Sequence, residues 1–140
     1  MTIQEIQDEI VDEFAMFDDW MQRYEYMIDL GKSLPLIDEN LKIDENLIKG
    51  CQSKVWVHGE LIDNKLVFTA DSDAIITKGI IAILIRAFSN QHPSAIIDAN
   101  TDFIDEIGLK EHLSPTRANG LVSMIKRLKL YAVAYQTQLN

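Results

Sequence analysis

A single cysteine, Cys51, stands in 140 residues. It leaves no partner for an internal disulfide and points to a reducing compartment. Positive charge is scarce as well, with 13 Lys plus Arg against 22 Asp plus Glu and a formal net charge of −9. A protein built to lie along phosphate backbones needs clustered positive charge, so nucleic acid is not an expected partner. Long apolar runs are missing. The longest, Gly79 to Ile85, lies between Lys78 and Arg86, well short of the roughly 20 residues a bilayer helix requires. No membrane partner is expected. The opening MTIQEIQDEIVDEF carries acids where a secretory signal would carry a basic segment, so the expected location is cytoplasmic. Phosphate-cradling glycine motifs and the His-Glu-x-x-His zinc motif do not occur.

What remains has the composition of an ordinary folded domain, 47% apolar and 25% charged, and the length suits one domain over 1–140. The charge is unevenly spread. Residues 1–50 hold 13 acids and four bases, whereas 51–140 hold nine of each. Beyond Leu113 there is no acid, while Arg117, Lys126, Arg127 and Lys129 remain. Such asymmetry fits a solvated acidic helix face, or steering toward a partner with a basic patch.

The hydrophobic periods predict the elements. Ile3, Ile6, Ile10, Phe14, Phe17, Met21, Tyr24 and Ile28 recur every three or four residues, the signature of an apolar helix face. Thr2 and Glu5 have capping-box spacing. Asp18–Asp19 can divide the run into two helices, the second capped by aspartate, with Gly31 as its C-terminal stop. From Leu36 to Lys49 the chain reads as a surface loop with at most a short strand. Lys54–Leu61 and Leu66–Ala70 then alternate with period two around Asp63–Asn64, predicting a hairpin. Asp71 or Ser72 is the expected cap of a helix from Asp73 to about Phe88, apolar all round and therefore buried. Gly79 inside it implies close backbone packing. His92–Pro93 is expected to close that element, and a short helix around Asp102–Ile107 to stop at Gly108. Ser114–Pro115 starts a last helix to about Gln138, with Leu121, Ile125, Leu128, Ala132 and Tyr135 inward. No repeat is present. The expected fold is α+β, a small antiparallel sheet packed against helices.

Cys51 is the residue with chemical promise. Free cysteines commonly serve as small buried hydrophobes. Here Gly50 permits an unusual backbone, and Lys49, Gln52, Ser53 and Lys54 make the stretch polar. Nearby cations favour the nucleophilic thiolate. Both readings stay open on the residues alone. A cysteine hydrolase would need a base beside the thiol, yet no spacing brings His58, His92 or His112 to position 51. A metal site would need paired ligands, and the chain has none, so no metal is expected. A sulfur carrier suits a solitary thiol, because no second cysteine is present to discharge a persulfide as a disulfide.

Three blocks carry a family resemblance: GCQSKVW (50–56), DSDAIITKGIIAIL (71–84) and LSPTRANGLVSMIKRLK (113–129). Together with DWMQRYEYMIDLGKSLP (19–35) they cover nearly the whole chain, in order and at fitting spacings, and resemble the SufE family of sulfur acceptors, whose relatives include the CsdE proteins. The resemblance implies a SufE/IscU-like fold. It implies a persulfide-forming Cys51 within the loop of Gly50, Gln52 and Ser53, and docking onto a SufS-type cysteine desulfurase whose turnover is stimulated. Sulfur would pass to a SufBCD-type scaffold or another acceptor for iron–sulfur cluster assembly. No cofactor is implied for this chain; the pyridoxal phosphate belongs to the desulfurase. On this view the chain is not itself an enzyme, although the step at Cys51 is transferase-like. Arg117 becomes a candidate for supporting the thiolate or its loop, Asp73 and Lys78 structural partners of the buried helix, and Leu34, Val55 and Trp56 candidates for an apolar shelter over the cysteine. Two alternatives remain, a docking-only adaptor of the desulfurase and a thiol-dependent hydrolase.

Overall fold

The computed structural model describes residues 1–139. Its order is α1 (Ile3–Ala15), α2 (Trp20–Gly31), two 3-10 turns (Glu39–Leu41 and Asp44–Asn46), β1 (Val55–Ile62), β2 (Lys65–Ser72), α3 (Ile75–Phe88), α4 (Pro93–Asp98), α5 (Asp102–Glu106), α6 (Leu109–His112) and α7 (Pro115–Leu139). The α+β architecture is as expected, with a two-stranded antiparallel sheet.

At the centre is α3, buried on nearly every face, with α1, α2, β2 and α7 packed around it. Gly79 is what lets α2 approach. A Cβ there would lie 2.5 Å from the Met27 carbonyl oxygen, and one on Gly31 would lie 3.0 Å from the Gly79 amide. Gly31 does end α2, as expected, but as its last helical residue packed on α3 and not as a residue just beyond the helix; the cap is Lys32, in right-handed conformation. Asp19 caps α2 through the Gln22 amide as expected. Once the chain breaks at Asp18–Asp19, the second helix turns its own face inward. Met27 is buried and Met21 is 65% exposed, so the continuous stripe does not persist.

The hairpin turns on Asp63 and Asn64, both with positive φ, as a two-residue connection between right-twisted strands requires. An isolated hairpin is marginal in water, and here both edges are covered. Ile48 donates to the Val55 carbonyl, and the hydroxyls of Tyr131 and Tyr135 donate to Val57 and Gly59. On the other edge Pro35, Ile37, Asn90 and Gln91 pair with Leu66 and Ala70. The 36–49 segment is thus less of a free loop than its polarity implied, since Ile37 and Ile48 are buried.

Other boundaries move. Strand β2 continues through Asp71 and Ser72, and α3 begins only at Ile75, capped by neither. Asp71 instead pairs with Lys42 and Lys78, and Asp73 accepts the Lys54 amide. His92–Pro93 opens α4, the histidine ring accepting from the Ser94 amide. The helices α4 and α6 had no sequence signal beyond that proline; at six and four residues they are too short for a periodic pattern. Gly108 follows α5 with φ 81°, as expected.

Candidate functional site

Cys51 stands in the turn that leads from Ile48 into β1. Gly50 enters it with φ 94°, a conformation that L side chains rarely adopt, and a Cβ at that position would meet Ser123 Oγ at 2.6 Å. The backbone therefore swings toward α7 and lays the cysteine against Gly120. The two residues touch because Gly120 has no side chain; a Cβ there would be 3.3 Å from the Cys51 sulfur. Sγ donates weakly to the Gly120 carbonyl at 3.6 Å.

Around the sulfur, α3 contributes Thr77 and Ile80, α7 contributes Thr116, Arg117, Gly120 and Met124, and the loop adds Gln52 and Ser53. The space they enclose is about 10 Å³, enough for one small group and for no organic substrate. A much larger cavity, about 630 Å³, lies elsewhere, between the end of α2, strand β2 and the end of α3, and Cys51 does not line it.

Half-burial pushes the Cys51 thiol above its ordinary pKa, by desolvation of the charged form. This corrects the expectation drawn from its cationic neighbours. Lys49 and Lys54 are exposed to water, where their attraction for the sulfur is screened while burial acts on it directly. The resting group is a protonated, sheltered thiol. The shelter is also not the one expected. Leu34 and Val55 belong to the core, Trp56 lies under the Lys42 ammonium, and none of the three lines the cysteine pocket. Ile80 and Met124 do.

The structure brings Gly50, Gln52, Ser53 and Arg117 to Cys51, with Arg117 on the pocket rim, exposed, its amide capped by Ser114 Oγ. It does not bring a histidine. His92 caps α4, His112 stacks on Trp20 with ring centroids 4.3 Å apart, and His58 faces Thr69 across the hairpin. Among the described residues no His, Cys, Asp and Glu cluster could hold a metal ion, and no helix is long and apolar enough to cross a membrane. Sequence reasoning missed Thr77, Ile80, Gly120 and Met124. The available signal was Gly120, a helix-destabilising residue in the second turn of a long helix.

How firmly the loop is held decides what the thiol can do. Its ends are fixed. Ile48 N donates to Val55 O at 2.8 Å, and the Lys54 backbone is held by Asp73 Oδ1, by the Asp73 amide and by Ser72 Oγ. Between them, among the described residues, the Cys51 sulfur supplies the one hydrogen bond that residues 49–53 make.

The same arrangement of sequence is found in known proteins. The pattern of the SufE domain, described as an Fe-S metabolism associated domain, matches residues 8–132. The chain belongs to the SufE family. A SufE-like protein of Rhizobium meliloti is 47% identical over 128 residues, spanning 87% of this chain and 91% of that one. A SufE-like protein of Synechocystis is 37% identical over 127 residues, spanning 91% and 80% respectively. The SufE fold is shared by a protein of Thermus thermophilus solved in solution, with a TM-score of 0.79 over 94% of this chain and 96% of that one at 18% identity. Membership associates this SufE-like chain with iron–sulfur metabolism.

Proposed function

We propose that this SufE-like chain is a sulfur acceptor and carrier, working in the cytoplasm, that takes persulfide sulfur from a cysteine desulfurase onto Cys51. The supporting observation is a lone thiol on a segment fixed at both ends and held between them by one weak sulfur hydrogen bond. Segments with so few bonds open at small cost. Docking of a partner can draw residues 49–53 outward about the Ile48–Val55 base, leaving the sheet intact. Once in water the thiol returns toward the ordinary acidity near pH 8.5, and the thiolate becomes available.

The transfer then balances without an external oxidant or reductant. The Cys51 thiolate attacks the outer sulfur of the donor persulfide. A sulfur–sulfur bond forms at Cys51, the donor's sulfur–sulfur bond breaks, and the donor cysteine leaves as thiolate. The outer sulfur keeps its oxidation level. Removing it frees the donor cysteine, which accounts for stimulation of the desulfurase. Return of the loop would place the loaded sulfur beside Ile80 and Met124, away from dissolved oxidants, until an acceptor such as a SufBCD-type scaffold draws it out again. The chain itself needs no cofactor for this step.

The test is intact-mass spectrometry after incubation with a SufS-type desulfurase and cysteine. Gain of one sulfur atom is expected on wild type and not on Cys51→Ser. The variant should still bind the desulfurase but no longer stimulate it. No sulfur gain on wild type would overturn the carrier reading, and full stimulation by Cys51→Ser would establish docking alone as the activity.

A further inference from the structure

Residues 45–53 run antiparallel to the first half of α7, and the contacts follow one another in register. The Arg127 guanidinium donates to two backbone carbonyls, Glu45 O at 3.3 Å and Leu47 O at 2.7 Å. One turn toward the helix N-terminus, Ser123 meets Gly50; one turn further, Gly120 meets Cys51. Positions 120, 123 and 127 are three and four apart and share one helix face. Of these contacts only Arg127 acts outside residues 49–53, at the point where Ile48 and Val55 close the base of that loop and Leu47 bridges Trp56.

We infer that Arg127 is a positioning residue, a clamp that fixes the upstream hinge of the Cys51 loop to α7 and so sets where the thiol rests and the arc through which it moves. This rests on the sulfur-acceptor reading for its purpose, but not for its geometry. The two carbonyls belong to Glu45, within the 3-10 turn Asp44–Asn46, and to Leu47, the residue that follows the turn, where backbone acceptors run out of partners. A planar guanidinium can reach both at once; a lysine ammonium supplies a point charge with no fixed fork. With the clamp removed, the base frays along with the tip, the Sγ contact to Gly120 is held less of the time, and an opened loop searches a wider arc.

The experiment has two readouts. The first is alkylation of Cys51 by iodoacetamide in the isolated chain, which needs no desulfurase. Arg127→Gln should raise its rate about tenfold, the equivalent of roughly 1.4 kcal/mol in the opening equilibrium. Arg127→Lys should fall between that variant and wild type, and Lys126→Gln, an exposed neighbour with the same loss of charge, should match wild type. The second is sulfur transfer from the desulfurase, where Arg127→Gln should lower the rate at saturating partner while Lys126→Gln leaves it unchanged. Thermal melting accompanies both. Should Arg127→Gln melt far below wild type, the decision passes to Arg127→Lys, whose alkylation rate must still exceed that of wild type. Wild-type alkylation in Arg127→Gln, or in Arg127→Lys where the decision has passed to it, overturns the clamp. A fast-alkylating Arg127→Gln in a chain that never accepts sulfur leaves the clamp standing and overturns the carrier reading instead.

Discussion

For a single side chain, the useful contrast is between what Cys51 must become and what its resting pocket allows. A nucleophile has to be a thiolate, yet burial holds the proton on the sulfur. Gly120, Ile80 and Met124 create that burial, and no charged group drives the shift. The consequence for stability has a definite sign. The folded chain keeps the thiol proton where the unfolded chain has lost it, so this contribution is complete below the unfolded thiol's pKa, about 8.5, and disappears as pH rises through the raised folded value. Urea midpoints of wild type should therefore decline above that pH more steeply than those of Cys51→Ser. Parallel curves would mean the thiol is already solvated. The sequence made Cys51 and Gly50 conspicuous through their company. It could not show Thr77, Ile80 or Met124 as neighbours, because contacts across dozens of intervening residues leave no local pattern. Lys49 and Lys54 do not activate the thiol for a related reason: neighbours along the chain, they stand in water while the sulfur is half-buried.

Among the elements, the α2–α3 contact is the most demanding. Two glycines meet there, Gly31 and Gly79, and the Met27 carbonyl occupies the space a side chain would need. Gly79→Ala gains about 1 kcal/mol in helix propensity, but its methyl must push backbone, and overpacking of this kind costs about 1–3 kcal/mol. Sterics should win. Because the obstacle is backbone, the cost falls toward the upper end of that range, and the variant is expected to be less stable by up to about 2 kcal/mol in urea titration; greater stability would show that α2 can retreat freely. Gly79 is legible in the sequence as a close-packing residue, because a glycine inside a continuously apolar helix sacrifices both propensity and buried area unless a neighbouring backbone takes up the space. Gly31 is not, because a glycine near a helix end fits both a stop and a contact, and only the partner helix distinguishes them. The side chains of Asp71 and Ser72 suit a helix cap, but the strand ladder and the Lys42–Asp71 pair engage those residues first.

In the whole molecule, acidic α1 is tied to the centre by charge as well as by Ile3, Ile10 and Phe14. Arg86 on α3 pairs with Glu9 and Glu13, and the Tyr26 hydroxyl donates to Glu13. The guanidinium first, then the tyrosine, holds the Glu13 carboxyl below its usual pKa. That stabilisation is complete above the unfolded glutamate value, about 4.3, and is lost as pH falls through the folded one. Glu13→Gln should cost about 1–2 kcal/mol at neutral pH, the scale of a lost charge-assisted hydrogen bond. Its acid unfolding limb should also be shallower than that of wild type. An unchanged acid limb would place the pH sensitivity in other carboxylates. The excess of acids in the first 50 residues thus serves the fold in part, and is not wholly a steering field.

Local order was written in the chain: helices from three-and-four periodicity, a hairpin from period two around a turn that tolerates positive φ, caps at Thr2, Asp19 and Ser114, and one nucleophile beside a glycine. These depend on residues a few positions apart, where propensity and spacing act directly. Tertiary packing alone decided that α7 would lie along residues 45–53, that Gly120 would cover the sulfur, and that the thiol would be held protonated. Those outcomes depend on which surfaces meet when the core closes around α3, and burial is a property of the assembled molecule, not of any stretch of its sequence.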